Sequence, residues 1–289
     1  MKLKIGISPC PNDTFIFEAI ATSKLRLTDV AFDFVFEDVQ TLNEMATSGA
    51  LDIVKVSYAH YFSILDSYIM LRAGGAMGIG VGPLLISKNN VTPQDLITGT
   101  VAIPGVHTTA NLLLSLAFPD IKNKMSIRFE NIEQAVLNED ADAGVIIHEN
   151  RFTYLEKGLK KIADLGEMWE QQTGFPIPLG GIAIRRALPH VLQRNINNLI
   201  KQSVEYAFAN PESCMPFVKQ HALETAFLNK PLLSNFIKAK AQEMNEEVMK
   251  KHIDLYVNSY SYDVGEEGEQ AVNYMGSVLQ PGSTHKIFI

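Results

Sequence analysis

An α/β protein of two lobes with a helical C-terminal region is the fold class this sequence predicts, and three patterns predict it. Over residues 1–150, short apolar runs alternate with segments whose apolar residues recur at helical spacing. Two glycine-bounded strand patterns, at 82–87 and 181–184, mark where the chain would cross from one lobe to the other and back. From Ala187 to about Gln280 the spacing is almost wholly helical, as in Leu188, Val191, Leu192, Ile196, Leu199 and Ile200.

Composition narrows the function classes. The 289 residues are 46% hydrophobic, enough for a sizeable core. Net charge is −7, and Lys and Arg are scattered, so no footprint for nucleic acid or an anionic membrane exists. An anionic ligand would need a local site. Cys10 and Cys214 are far apart and form no Cys-x-x-Cys pair, which argues against a disulfide framework and a zinc site. No run of 18 apolar residues occurs, so no membrane span is predicted. The N-terminus enters a strand pattern without the apolar stretch of a signal peptide, so a cytoplasmic protein is expected.

Along the chain, residues 3–7 alternate as a strand, the prolines around Cys10 break it, and 15–21 resume with helical spacing. Asn12, Asp13 or Thr14 could cap that helix, and the prolines stiffen the loop so that small polar groups point into one site. Residues 31–36 read as a strand, 41–48 as a helix closed by Gly49, and 50–57 as a buried strand. Lys55 and Ser57 stand at its C-terminal end, where open α/β sheets meet their ligands, although Lys55 taken alone could be a solvated charge.

The glycine-rich stretch 71–82 leads into another strand pattern, not a helix, which rejects a dinucleotide fingerprint. A new unit follows the composition shift at 88–95: strand 100–103, loop 104–109, helix 110–118. Thr108, Thr109 and the Ala110 N–H sit where unpaired amides and the positive dipole end favour a carboxylate or phosphate; ordinary capping is the plainer reading of the threonines. Residues 127–130 read as a strand and 132–138 as a helix. The run 143–147 reads as a buried parallel strand ending in His148, Glu149 and Asn150. Further helices are predicted over 227–257 and 270–279.

His148 is the strongest candidate for chemistry. A neutral imidazole, of ordinary pKa about 6.5, suits a general base; a histidine that merely hydrogen-bonds a strand end is the alternative. Cys10 precedes a helix N-terminus but reads better as a packed thiol. His107 reads as a surface loop residue beside the anion cradle. His60, His107 and His148 lack the short spacings of metal ligands, so no metal is expected.

Four motifs together resemble one family: Ser-Pro-Cys-Pro-Asn-Asp-Thr-Phe at 8–15, Lys-Val-Ser-Tyr at 55–58, Pro-Gly-Val-His-Thr-Thr-Ala at 104–110 and Gly-Val-Ile-Ile-His-Glu at 144–149. It is that of the 1,4-dihydroxy-6-naphthoate synthases of the futalosine route to menaquinone, and the first motif is the most specific. The resemblance implies the two-lobed periplasmic-binding-protein-like fold of type II, with residues 1–87 and 185–289 in the larger lobe and 88–184 in the smaller. It implies a carbon–carbon lyase converting cyclic dehypoxanthinyl futalosine to 1,4-dihydroxy-6-naphthoate and dihydroxyacetone, without metal or organic cofactor. His148 is then the proton acceptor. Lys55, Val56 and Ser57, the cradle Thr108, Thr109 and Ala110, and also Asn12 and Thr14 would bind the carboxylate substrate. Two alternatives stay open: a solute-binding protein for a small carboxylate, since fold does not settle function, and the related chorismate dehydratase of the same pathway.

Overall fold

The computed structural model describes residues 1–228 and 246–289. Two sheets carry the fold. The first has six strands: β1 (Lys2–Ile7), β2 (Ala31–Phe36), β3 (Ile53–Ser57), β4 (Tyr68–Met70), β5 (Ala76–Gly78) and β11 (Ile177–Arg185). Their order is β2-β1-β3-β11-β4, with β5 also paired to β11. The second has five: β6 (Leu84–Ser87), β7 (Val101–Ile103), β8 (Lys124–Ser126), β9 (Ala143–Ile146) and β10 (Lys160–Asp164), in the order β10-β6-β9-β7-β8.

Both sheets are mixed, and the direction of each strand follows from its connection. β1 runs parallel to β2 and β3 because helices α1 (Pro11–Ala21) and α2 (Val39–Thr47) return the chain. β9 is parallel to β7 but antiparallel to β6, so the run expected as a purely parallel strand has one neighbour of each kind. β11 is antiparallel to β3, β4 and β5. It is longer than the expected 182–184 and accommodates Pro178 and Gly180 through a register shift between them.

The chain changes sheet between β5 and β6 and returns between β10 and β11. Thus β6 pairs within the five-stranded sheet and β11 within the six-stranded one, the reverse of what boundaries at 87/88 and 184/185 assign. The glycine-bounded strands lie next to the crossings as expected. Backbones touch there: a Cβ on Gly82 would stand 2.2 Å from the Gly166 Cα.

The six-stranded sheet buries Ile5, Ile7, Ile53, Ile182 and Ile184 against Phe17 of α1 and Ile196, Ile200 and Val204 of α8 (His190–Ala209). In the other sheet Leu84, Ile86, Ala102 and Ile146 pack on Ile132 and Val136 of α5 (Ile132–Leu137). Full burial of one such aliphatic side chain stabilises the fold by about 1.5–3 kcal/mol. Beyond α8 the C-terminal region is helical as expected, through α9 (Pro211–Leu228), α10 (Glu246–Tyr256), α11 (Ser259–Tyr262) and α12 (Gly265–Leu279). Of the helix expected over 227–257, residues 229–245 lie outside the described residues. The tail then bonds back along β4, Met70 N–H donating to Ile287 O (2.9 Å) and Ile289 N–H to Met70 O (3.1 Å).

Two local expectations change. Residues 127–130 are not a strand: β8 ends at Ser126 and Phe129–Asn131 form a 3-10 turn. Ile127 and Phe129 have strand spacing, but Phe129 turns to meet the His148 ring. Helix α1 begins at Pro11, with Cys10 at the N-cap, so Asn12, Asp13 and Thr14 lie inside its first turn instead of capping it. Proline lacks an N–H that the first helical position does not use, and its ring presets the helical φ.

Candidate active site

A cleft opens between the two sheets, lined by residues of both. From the first sheet and α1 come Ser8, Asn12, Asp13, Lys55, Ser57 and Gly180; from the second come Thr108, Thr109, Ala110, Ile147 and His148. The loops before α1 and before α4 (Thr109–Ala117) and the ends of β3 and β9 thus converge, as the C-terminal ends of strands do in open α/β sheets.

Asp13 organises one wall. Its carboxylate is 1% exposed and accepts from Lys55 Nζ (2.8 Å), Ser8 Oγ (2.7 Å), Ser8 N (3.2 Å) and Asn12 Nδ2 (2.9 Å). Lys55 also donates to Gly74 O (3.2 Å), which leaves its third N–H for the cleft. The lysine is therefore a buried ion-pair partner and not a solvated charge. Ser57 is held by the buried Asn43: Oδ1 accepts from Ser57 N (3.0 Å) and Nδ2 donates to Ser57 Oγ (3.1 Å). The serine amide is consumed, and its hydroxyl proton is free to point at a ligand. Val56 is fully buried and does not line the cleft, because alternation along β3 turns it away. Thr14 is likewise buried outside the lining, its hydroxyl donating to Cys10 O (3.0 Å).

The opposite wall holds the turn expected to cradle an anion. Thr108 caps α4, accepting from Asn111 N (3.2 Å) and donating to Gly105 O (2.8 Å). Thr109 Oγ1 donates to Leu179 O (2.8 Å) and accepts from Ala59 N (3.3 Å). Both hydroxyls are thus engaged, while the first-turn N–H groups of Thr109 and Ala110 have no helical acceptor. The cradle's donors are backbone. Gly105 permits the approach of this loop: its φ is +147°, and a Cβ there would stand 2.3 Å from Gln40 Oε1. His107 is exposed, 4.9 Å from the His60 ring, and does not line the cleft.

His148 stands just past the end of β9 with φ +57°, a conformation that costs a non-glycine residue energy and clusters at functional sites. Neither ring nitrogen has a hydrogen bond among the described residues. Burial holds its pKa down to about 4; the Asp13 carboxylate works against that shift and Lys55 with it. The ring is therefore neutral at pH 7, with its lone pair available. Burial pushes the Cys10 thiol well above its ordinary range, aided by Glu149, so it is no thiolate nucleophile. Among the described residues no three His, Cys, Asp or Glu side chains group as metal ligands, and no helix is long and apolar enough to cross a membrane.

Ser8, Asp13, Gly180 and Tyr256 line the cleft although no pattern singled them out for it. One signal existed for Asp13: a lysine inside the otherwise apolar strand Ile53–Ser57 requires a buried counter-charge.

A family described as "Menaquinone biosynthesis" matches residues 3–280. The 1,4-dihydroxy-6-naphtoate synthase of Thermus thermophilus is 42% identical over 271 residues, 93% of this chain and 91% of that protein. A solved protein of Archaeoglobus fulgidus superposes with TM-score 0.84 at 31% identity, covering 96% of this chain and 97% of its own. The periplasmic aliphatic sulphonate binding protein of Escherichia coli superposes with TM-score 0.57 at 14% identity, covering 88% and 86%, a likeness of fold alone. The architecture is the expected periplasmic-binding-protein-like one, and the chain belongs to the menaquinone-biosynthesis family, as a relative of the 1,4-dihydroxy-6-naphthoate synthases.

Proposed function

We propose that this chain is a carbon–carbon lyase that converts cyclic dehypoxanthinyl futalosine to 1,4-dihydroxy-6-naphthoate and dihydroxyacetone, using His148 as proton acceptor and no cofactor. One observation carries the reading: an imidazole kept neutral, free of hydrogen bonds and held in a left-handed backbone conformation faces a cleft whose other wall is fixed by the Asp13–Lys55 hydrogen-bond network.

Opening a carbocycle next to a carbonyl and aromatising the remainder needs chiefly a base to start the electron flow, because forming the naphthalene ring supplies the driving force. His148 takes the proton in this reading. The imidazolium that forms is stabilised by the Asp13 carboxylate, which is itself locked by Lys55, Ser8 and Asn12. The substrate carboxylate is assigned to the N–H groups of Thr109 and Ala110, at the positive end of α4. Ser57 Oγ and the free Lys55 N–H supply donors from the facing wall.

The test is to incubate the chelator-treated protein with cyclic dehypoxanthinyl futalosine and follow the naphthoate chromophore. Product from the native chain and none from His148→Asn, with substrate binding retained, is the expected result. No product, with tight binding of an unrelated carboxylate, would instead favour a solute-binding protein.

A further inference from the structure

His148 lacks the hydrogen-bonded orienter that usually aims a catalytic histidine. Rings bound it instead. Phe129 meets it edge-on at 4.9 Å and 65°, and His252 lies nearly parallel to it at 5.9 Å and 18°, within the range of offset stacking. His252 sits on α10, is fully buried and does not line the cleft.

The tautomer of His252 follows from its neighbours. Asn12 Nδ2 donates to Asp13 Oδ1, and a flipped amide would set its oxygen against that carboxylate. Asn12 Oδ1 therefore faces His252 Nε2 at 2.9 Å, and an amide oxygen cannot donate. The proton of His252 is thus on Nε2. Nδ1 has no hydrogen-bond partner among the described residues and faces Glu149 Oε2 at 4.0 Å. A chain of contacts runs from the stacked ring through Asn12 to the Asp13–Lys55 pair, anchoring His252 to the rigid wall while its face supports the ring on the other.

We propose that His252 is a positioning residue for His148: its ring, locked to Asn12 as the Nε2–H tautomer, is the flat support that keeps the unanchored imidazole aimed into the cleft. The proposal rests on the reading of His148 as base. Its distinguishing consequence is a loss in kcat, not in KM, that a flat side chain restores and a hydrogen-bonding one does not.

The full chain is assayed with cyclic dehypoxanthinyl futalosine as native protein, H148N, H252Q and H252F. Glutamine keeps the donor to Asn12 without a ring; phenylalanine keeps a ring without the donor. H252Q is expected to lose roughly 30-fold in kcat with KM within about threefold, the scale of a misaimed base, and H252F to recover about tenfold of that loss. Should either fail to fold, His252→Asn and His252→Tyr replace them with the same expectations. An H252Q kcat within about twofold of native, or equal kcat losses in both variants that track lost thermal stability, overturns the proposal. Absence of product from the native chain, or turnover by H148N, removes the underlying reading as well. An inactive H148N beside an unaffected H252Q removes only the role of His252.

Discussion

The two walls of the cleft are built on opposite principles. On the six-stranded side Asp13, Lys55, Ser8, Asn12, Ser57 and Asn43 form a network in which almost every donor and acceptor is matched. On the five-stranded side His148 has a strained backbone and unbonded nitrogens, and the useful cradle groups are amides without helical acceptors. In the proposed reaction the preorganised wall would hold charge where it is needed, and the other would keep free the groups that act on the substrate.

Substitutions should separate the walls. The largest effect is expected from His148→Asn: a loss of kcat of roughly 10³-fold with near-native binding, read by single-turnover kinetics and titration. Retained turnover would break the comparison at its active side. The same base predicts that kcat/KM of the native chain falls on the acid side with a midpoint near 4 and not near 6.5, because only the neutral ring accepts a proton. Next comes Lys55→Met, which strands the Asp13 carboxylate in a buried site and is expected to cost about 3–5 kcal/mol in denaturant unfolding. A loss below about 1 kcal/mol would mean that this wall is not the rigid one.

Behind the same wall, burial lowers the His60 pKa from 6.5 to about 4, with His107 adding to the shift. The folded pKa lies below the unfolded one, so between these values the unfolded chain binds more protons. The contribution is full above pH 6.5 and is lost as pH falls towards 4, roughly 3 kcal/mol for this group. His60→Gln should flatten the pH dependence of unfolding in that window. The smallest effect belongs to Thr109→Val, which leaves Leu179 O and Ala59 N without their partner for about 1–2 kcal/mol. It should hardly move KM, since the cradle's donors are backbone; a large rise in KM would return the hydroxyl to the binding machinery.

The alternating apolar runs were legible because a strand's period and its polar end are local properties. They located β1, β3, β7 and β9, the crossings and the loop before α4. Strand direction was not legible, since β9 takes one parallel and one antiparallel partner, from segments about 40 and about 60 residues away respectively. Ile127 and Phe129 misled because strand spacing also serves a turn that presents one aromatic ring. Within the motifs, Val56 and Thr14 lie beside cleft residues yet face inward.

The sequence by itself determined the α/β class, the strand ends that border the cleft and the position of His148 at one of them, because periodicity, glycine, proline and helix termini act over a few residues. Only the tertiary structure decided what each polar group does there. It paired Lys55 with Asp13 across 42 positions, set His252 behind His148 across 104, and committed the threonine hydroxyls to the scaffold. The physical reason is desolvation: a buried charge or imidazole takes its protonation and orientation from whatever the fold brings within a few ångströms, and no local spacing encodes that company.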